Sequence, residues 1–275
     1  MTWIPAGVHL AAGRPVRRQP VADAGPVITA QQPREVAGHR VLRPIAPGML
    51  LGFDAAEERL VVLRVSPAGD PRMTTRLAAL ERARGEHVVA VLDYAADDDT
   101  ETLVLERLPR GDLAALLARP AGVIGGEAVT IIAPIAATLA RMHAAGVAHG
   151  SLDAAHVRFR DDGAPVLTGF GAARLFTAGA PEVVLETIAE VAADRRALAQ
   201  LAAAVLGAVT GPRARAARAL AGELGGMDPA GIAGELARRV FEVAAATPIR
   251  WEVPSEPVEA GGGARLIPLS EPVAE

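Results

Sequence analysis

Residues 145–174, AGVAHGSLDAAHVRFRDDGAPVLTGFGAAR, place the tightest limits on what this chain can fold into. They read as a short strand, a tight loop at His149-Gly150-Ser151, and two strands (157–160 and 164–168) joined by the turn signal Asp161-Asp162-Gly163. Gly169-Phe170-Gly171 closes the segment. Composition sharpens the chemistry open to such a loop: all 28 basic Lys/Arg positions are Arg, so the chain holds no Lys, and it holds no Asn. With no Cys there is no disulfide framework, thiol nucleophile or thiolate metal site.

The order of loop, hairpin and Gly-Phe-Gly resembles the catalytic loop and the start of the activation segment in protein kinases of the bacterial Ser/Thr type. The family pattern is H-R/G-D-L-x-x-x-N, a β-hairpin, then D-F-G. The resemblance keeps the framework and loses the chemistry. Ser151 stands where the catalytic-base Asp belongs, His156 at the metal-binding Asn and Gly169 at the metal-binding Asp. The Lys that holds the α- and β-phosphates cannot have moved elsewhere, because the chain has none. The resemblance therefore implies an α+β, two-lobed protein-kinase-like fold with a small β-rich N-lobe and a reduced, mainly helical C-lobe. It also implies a degenerate member of the family, a pseudokinase.

The remaining kinase landmarks fall in order. Gly38-His39-Arg40-Val41-Leu42 resembles the entry to the first strand. Residues 45–53 occupy the place of the glycine-rich loop, but Pro47 removes a donor and few glycines remain, so a plain β-turn is expected rather than a phosphate cradle. Residues 59–65, RLVVLRV, alternate as a strand and resemble V-A-I-K. Arg64 then takes the place of the phosphate-holding Lys, and Val62 that of the small residue above adenine. The following helix, near 71–84, puts Arg76 where the partner Glu should be. Two guanidiniums cannot pair, which leaves a helix swung outward, an anion bridging them, or two solvated arginines in a relaxed inactive geometry.

Strands are expected at 88–94 and 102–106, joined by the solvated acidic tip Asp97-Asp98-Asp99. The hinge follows, with Leu105 as gatekeeper and backbone groups of Glu106, Arg107 and Leu108 facing an adenine. In the family an apolar side chain forms the floor of that pocket; here it is Arg158. With Val62 above, little room for a purine is expected, so no cofactor is implied and ATP binding would be weak.

A helix near 127–145, bent by Pro134 or starting close to it, delivers the chain to His149, which should pack under Phe170. Leu80 and Val91 extend this into an apolar spine. A zinc site at His143, His149 and His156 lacks close ligand spacing. Asp153 is expected to point away from Ser151. Ala180-Pro181-Glu182 resembles the A-P-E anchor, nine residues after Gly171, and Asp194 should hold the loop by hydrogen bonds. Helices near 190–206, 213–224 and 229–245 complete the reading, the last capped by Asp228.

The organisation expected is a flexible lead-in (1–37), N-lobe (38–108), C-lobe (109–250) and a tail (251–275) in which Ser-Glu-Pro-Val occurs twice. The repeat reads as flexible tail or as paired linear motifs. A net charge of −4 without a long basic run speaks against nucleic acid. No signal peptide or membrane span is evident, and a cytoplasmic protein is expected. The implied function is a non-catalytic, protein-binding or regulatory scaffold, its partner another protein such as an active kinase or a phosphothreonine-binding module. The alternatives are an atypical phosphotransferase or nucleotidyl transferase, and a metal-independent nucleotide or anion sensor built on Arg64, Arg76 and Arg158.

Overall fold

The computed structural model describes residues 35–251. The expected lead-in and tail, with both Ser-Glu-Pro-Val strings, lie outside these residues except at their inner ends. Those ends are structured: Glu35–Val36 forms strand β1, and Trp251 packs edge-on against Phe159 with ring centroids 5.1 Å apart.

The architecture is α+β, an N-terminal antiparallel sheet followed by a helical region, consistent with a kinase-like fold. Strands β1, β2 (His39–Ala46), β3 (Met49–Asp54), β4 (Arg59–Pro67), β5 (Val91–Ala96) and β6 (Thr100–Glu106) form one sheet in the order β1-β2-β3-β4-β6-β5. Period-two alternation decides what β4 shows to each side. Val61 and Leu63 bury against Val104 on one face. Val62 and Arg64 face the other way, into the cleft between the sheet and the helices. The register pairs Val62 with Leu51 and Leu105, and Arg64 with Met49 and Leu103.

Helix α1 (Pro71–Ala83) starts where Asp70 accepts a hydrogen bond from Arg72 N, with Pro71 in the first turn, where it loses no hydrogen bond. Its buried stripe is Met73, Arg76, Ala79, Leu80 and Ala83, the spacing of one helix face. A guanidinium thus sits within an otherwise apolar stripe. After a one-turn helix, α2 (Leu113–Leu117), and strand β7 (Val123–Ile124), the long helix α3 (Gly125–Ala144) fully buries Ile131, Ile132, Ile135, Leu139 and Met142. Each such side chain contributes about 1.5–3 kcal/mol of burial free energy. Pro134 lies in the middle of α3, which continues through it as one helix.

Strand β8 (Val147–Ala148) leads into the loop, then β9 (Val157–Phe159) and β10 (Pro165–Leu167) form the expected hairpin. Strand β11 (Arg174–Leu175) pairs back on β8, and helices α4 (Glu182–Leu185) and α5 (Ala189–Gly207) follow. Strand β12 (Val209–Thr210) runs parallel to β7 ahead of α6 (Ala214–Glu223) and α7 (Ile232–Arg239).

Two boundaries differ from expectation. The strand expected from Val88 begins at Val91, because residues 87–89 pair with β10 instead: Leu167 N donates to His87 O and Val89 N to Leu167 O. The last helix is shorter than 229–245. Asp228 accepts from Ala230 N and closes a turn, and the helix proper starts after Gly231. Among the described residues no helix is long and apolar enough to cross a membrane.

Candidate functional site

The loop between β8 and β9 is held from below by one buried carboxylate. Asp194, on α5 and 1% exposed, accepts hydrogen bonds from His149 N (2.7 Å), Gly150 N (2.8 Å) and His143 Nε2 (3.0 Å). Three charge-assisted bonds in a dry site fix the backbone path at residues 149–150. This is the role expected of Asp194, and it commits His143 to the scaffold rather than to a metal. His149 is fully buried and stacks edge-on against Phe170, centroids 4.9 Å apart, as expected. Its Nε2–H donates to Thr168 O at 2.7 Å and its Nδ1 accepts from Ser151 N at 3.3 Å. Burial pushes the imidazole pKa down, and a neutral ring satisfies both partners.

The three replaced positions converge. Ser151 Oγ donates to Gly169 O at 3.0 Å. His156 Nδ1 donates to Ser151 O at 2.8 Å and lies 3.0 Å from Asp153 Oδ1. Asp153 also accepts from His156 N, capping the turn before β9, so it points away from Ser151 as expected. These bonds aim the opposite edge of the imidazole at Gly169. Gly169 has φ +85°, and a Cβ there would collide with His156 Cδ2 and sit 2.6 Å from Nε2. The ring of His156 fills the volume into which any side chain at 169 would project. Among the described residues no group of three His, Cys, Asp or Glu is arranged to hold a metal ion.

Above this loop the cleft encloses a cavity of about 710 Å³. Val62, Leu105, Glu106, Leu108 and Arg158 line it together with Arg64 and Arg76, so every residue of the expected pocket is brought together. The cavity is larger than Val62 and Arg158 led us to expect. Arg158 leans toward Asp112 (3.9 Å), and its side chain is 40% exposed. Residues 45–53 form a hairpin turn rather than a phosphate cradle: Gly48 takes φ +66° and its carbonyl accepts from Val65 N.

Of the three arrangements open for Arg64 and Arg76, two fail. Helix α1 is not swung outward, since Arg76 Nη2 lies close against Gly171 in the turn after Phe170. Nor are both arginines solvated: Arg76 is 9% exposed, and half-buried Arg64 has a buried Nε without a hydrogen-bond partner among the described residues. The pKa of Arg76 is lowered by burial and by the charge of Arg64. An interior position on an apolar helix face imposes this burial, which spacing to the next family landmark did not reveal.

Sequence reasoning treated Glu106 as a backbone element and missed its side chain. Glu106 accepts two hydrogen bonds from Arg160, at 2.7 and 2.8 Å, and one from Ala90 N. This pair clamps the hinge to the β9–β10 hairpin, and Arg160 also bonds Glu86 O. Arg43 and Arg107, likewise unremarked, line the cavity. The A-P-E-like segment is anchored: Arg195, next to Asp194 on α5, binds both oxygens of Glu182 at 2.6 and 3.0 Å. The acidic tip is a capped turn, with Asp97 accepting from Thr100 N and Asp99 N.

No protein-family profile matches the chain. It shows distant, partial similarity to Ser/Thr protein kinases. A 134-residue segment, 46% of this chain, is 31% identical to serine/threonine-protein kinase PknL of Mycobacterium tuberculosis, covering 34% of that protein. The Mycobacterium bovis PknL matches to the same extent. A 105-residue segment is 34% identical to cyclin-dependent kinase F-1 of Oryza sativa subsp. japonica, covering 36% of this chain and 22% of that one. The chain thus spans about a third or less of the length of these curated relatives.

Proposed function

We propose that this chain is a pseudokinase: a protein-kinase-like fold that does not transfer phosphate and acts as a protein-binding or regulatory scaffold. The observation that carries this reading is the His156 ring lying where a side chain at 169 would project. Phosphoryl transfer depends on metal ions that bridge the β- and γ-oxygens and on a base that orients the acceptor hydroxyl. Ser151, His156 and Gly169 offer no carboxylate at those three places, and Ser151 Oγ is committed to Gly169 O. Asp153 serves as a cap and cannot take over as base without releasing the turn that orients His156.

The same loop is tied to α3 and α5 through Asp194 and to the turn after β10 through the His149–Phe170 pair, while the Glu182–Arg195 and Glu106–Arg160 pairs fasten the segments around it. A rigid kinase-shaped body without its chemistry suits recognition by another protein. The partner class that best fits is an active kinase chain or a phosphothreonine-binding module.

Incubation of the full chain with labelled ATP, Mg²⁺ or Mn²⁺, and generic Ser/Thr acceptor proteins tests the inactivity. No label should enter the chain or the acceptors above a no-protein control. Metal-dependent incorporation that is lost in His156→Ala would establish an atypical phosphotransferase instead.

A further inference from the structure

We infer that Arg64 and Arg76 form a metal-independent binding site for a compact phosphate group, either free phosphate or the terminal phosphate of a nucleotide. The inference does not depend on the scaffold reading, because a phosphate site and a partner surface are separate features.

Three observations converge on it. Arg76 is more than nine-tenths buried, and among the described residues it makes no ion pair; its only hydrogen bond is from Nη1 to Met73 Sδ at 4.0 Å. Among the described residues, Arg64 Nε is buried with no hydrogen-bond partner and Arg64 is likewise outside every ion pair. Both side chains open onto the same cavity, whose other charged walls are Arg43, Arg107, Arg158 and Glu106. Glu106 is occupied by Arg160, so it offers no counter-charge. Asp70, the carboxylate whose field reaches Arg76, caps the start of α1. The cavity is therefore lined by five guanidiniums with no free carboxylate among its lining residues.

A buried cation without a partner is costly, whereas a guanidinium against a phosphate forms forked, charge-assisted hydrogen bonds. Phosphate between Arg64 and Arg76 would satisfy the unpartnered Nε and offset the repulsion between the two charges. No metal is needed, since the guanidiniums themselves neutralise the anion. The cavity, at about 710 Å³, is within the range of small-molecule sites and has room for a nucleoside attached to that phosphate. Its apolar walls, Val62, Leu105 and Leu108, lie where such an attachment would rest.

The test is calorimetric titration and thermal unfolding of the full chain with inorganic phosphate, ADP and adenosine, each in EDTA and in Mg²⁺. Phosphate and ADP should bind and raise the melting temperature equally with and without Mg²⁺. Adenosine should have no effect. Tighter binding of ADP than of phosphate would identify a nucleotide as the source, and equal binding the free ion. Arg76→Glu is the informative variant: it supplies Arg64 with a carboxylate, so the apo protein should melt higher than the parent and phosphate affinity should fall by about tenfold or more. Arg64→Gln should lose phosphate binding to a similar degree, while Arg196→Ala, on the exposed part of α5, should keep it. Absence of phosphate binding at millimolar concentration, a strict requirement for Mg²⁺, or unchanged affinity in Arg76→Glu would overturn the inference.

Discussion

At the scale of single residues, the ring of His156 excludes a side chain at position 169. Gly169 adopts a left-handed conformation at φ +85° and its Cα faces the edge of the His156 ring. Introducing Asp at 169 alone adds both the strain of a side chain at positive φ and a collision with the imidazole. Gly169→Asp should lower stability by about 2–5 kcal/mol. Replacing the ring removes the collision and leaves the modest backbone cost, so His156→Asn with Gly169→Asp should recover about 1–3 kcal/mol in a double-mutant cycle. Denaturant unfolding of the four proteins measures that coupling; strictly additive effects would mean the two positions do not share the space. Sequence reasoning identified both substitutions, because each occupies a fixed slot in a spaced motif. It did not identify that one fills the other's volume, which depends on the hydrogen bond to Ser151 O and the Asp153 carboxylate that orient the ring.

At the scale of elements, the site is assembled by the connection of α5 to the loop after β8. Asp194 links two backbone N–H groups and His143 on α3, so one side chain fastens α3, α5 and the loop together. Asp194→Ala leaves these donors buried and unpaired, and should cost about 3–5 kcal/mol, read as a lower melting temperature. A variant within 1 kcal/mol of the parent would show that the loop holds its path by packing alone. Elements with strong local signals were legible in sequence. Helix α1 was placed by its order after the V-A-I-K-like strand, β4 by its alternation, and the β9–β10 hairpin by Asp161-Asp162-Gly163. Elements set by distant contacts were not. Residues 87–89 leave the sheet to pair with β10, and the Glu106–Arg160 clamp joins residues 54 apart in the chain, so neither has a local pattern.

At the scale of the whole molecule, a kinase-like arrangement of sheet and helices forms a cleft whose charged walls are mainly guanidiniums. Metal and carboxylates would attract a nucleotide's magnesium complex; here guanidiniums line the upper wall and an imidazole the base. The C-terminal end of the described chain closes the opposite side. Glu127, fully buried at the start of α3, accepts from Ile124 N, Arg250 N and Arg250 Nε, and Trp251 covers Phe159 beneath Arg110 and Arg119. Burial would raise the Glu127 carboxyl, but the hydrogen bonds from Arg250 and Ile124 outweigh it and hold its pKa below the ordinary range. Arg250 and Trp251 thus fasten the end of the described chain to α3 and β9. The most direct measurement of the central claim is an electron paramagnetic resonance titration of Mn²⁺ into the full chain with and without ATP. The account predicts no protein-bound Mn²⁺ in the absence of ATP, and the same ATP affinity with and without Mn²⁺, because positions 151, 156 and 169 present no carboxylate to the metal. Protein-bound Mn²⁺ without ATP, or an ATP affinity that rises when Mn²⁺ is added, would contradict it.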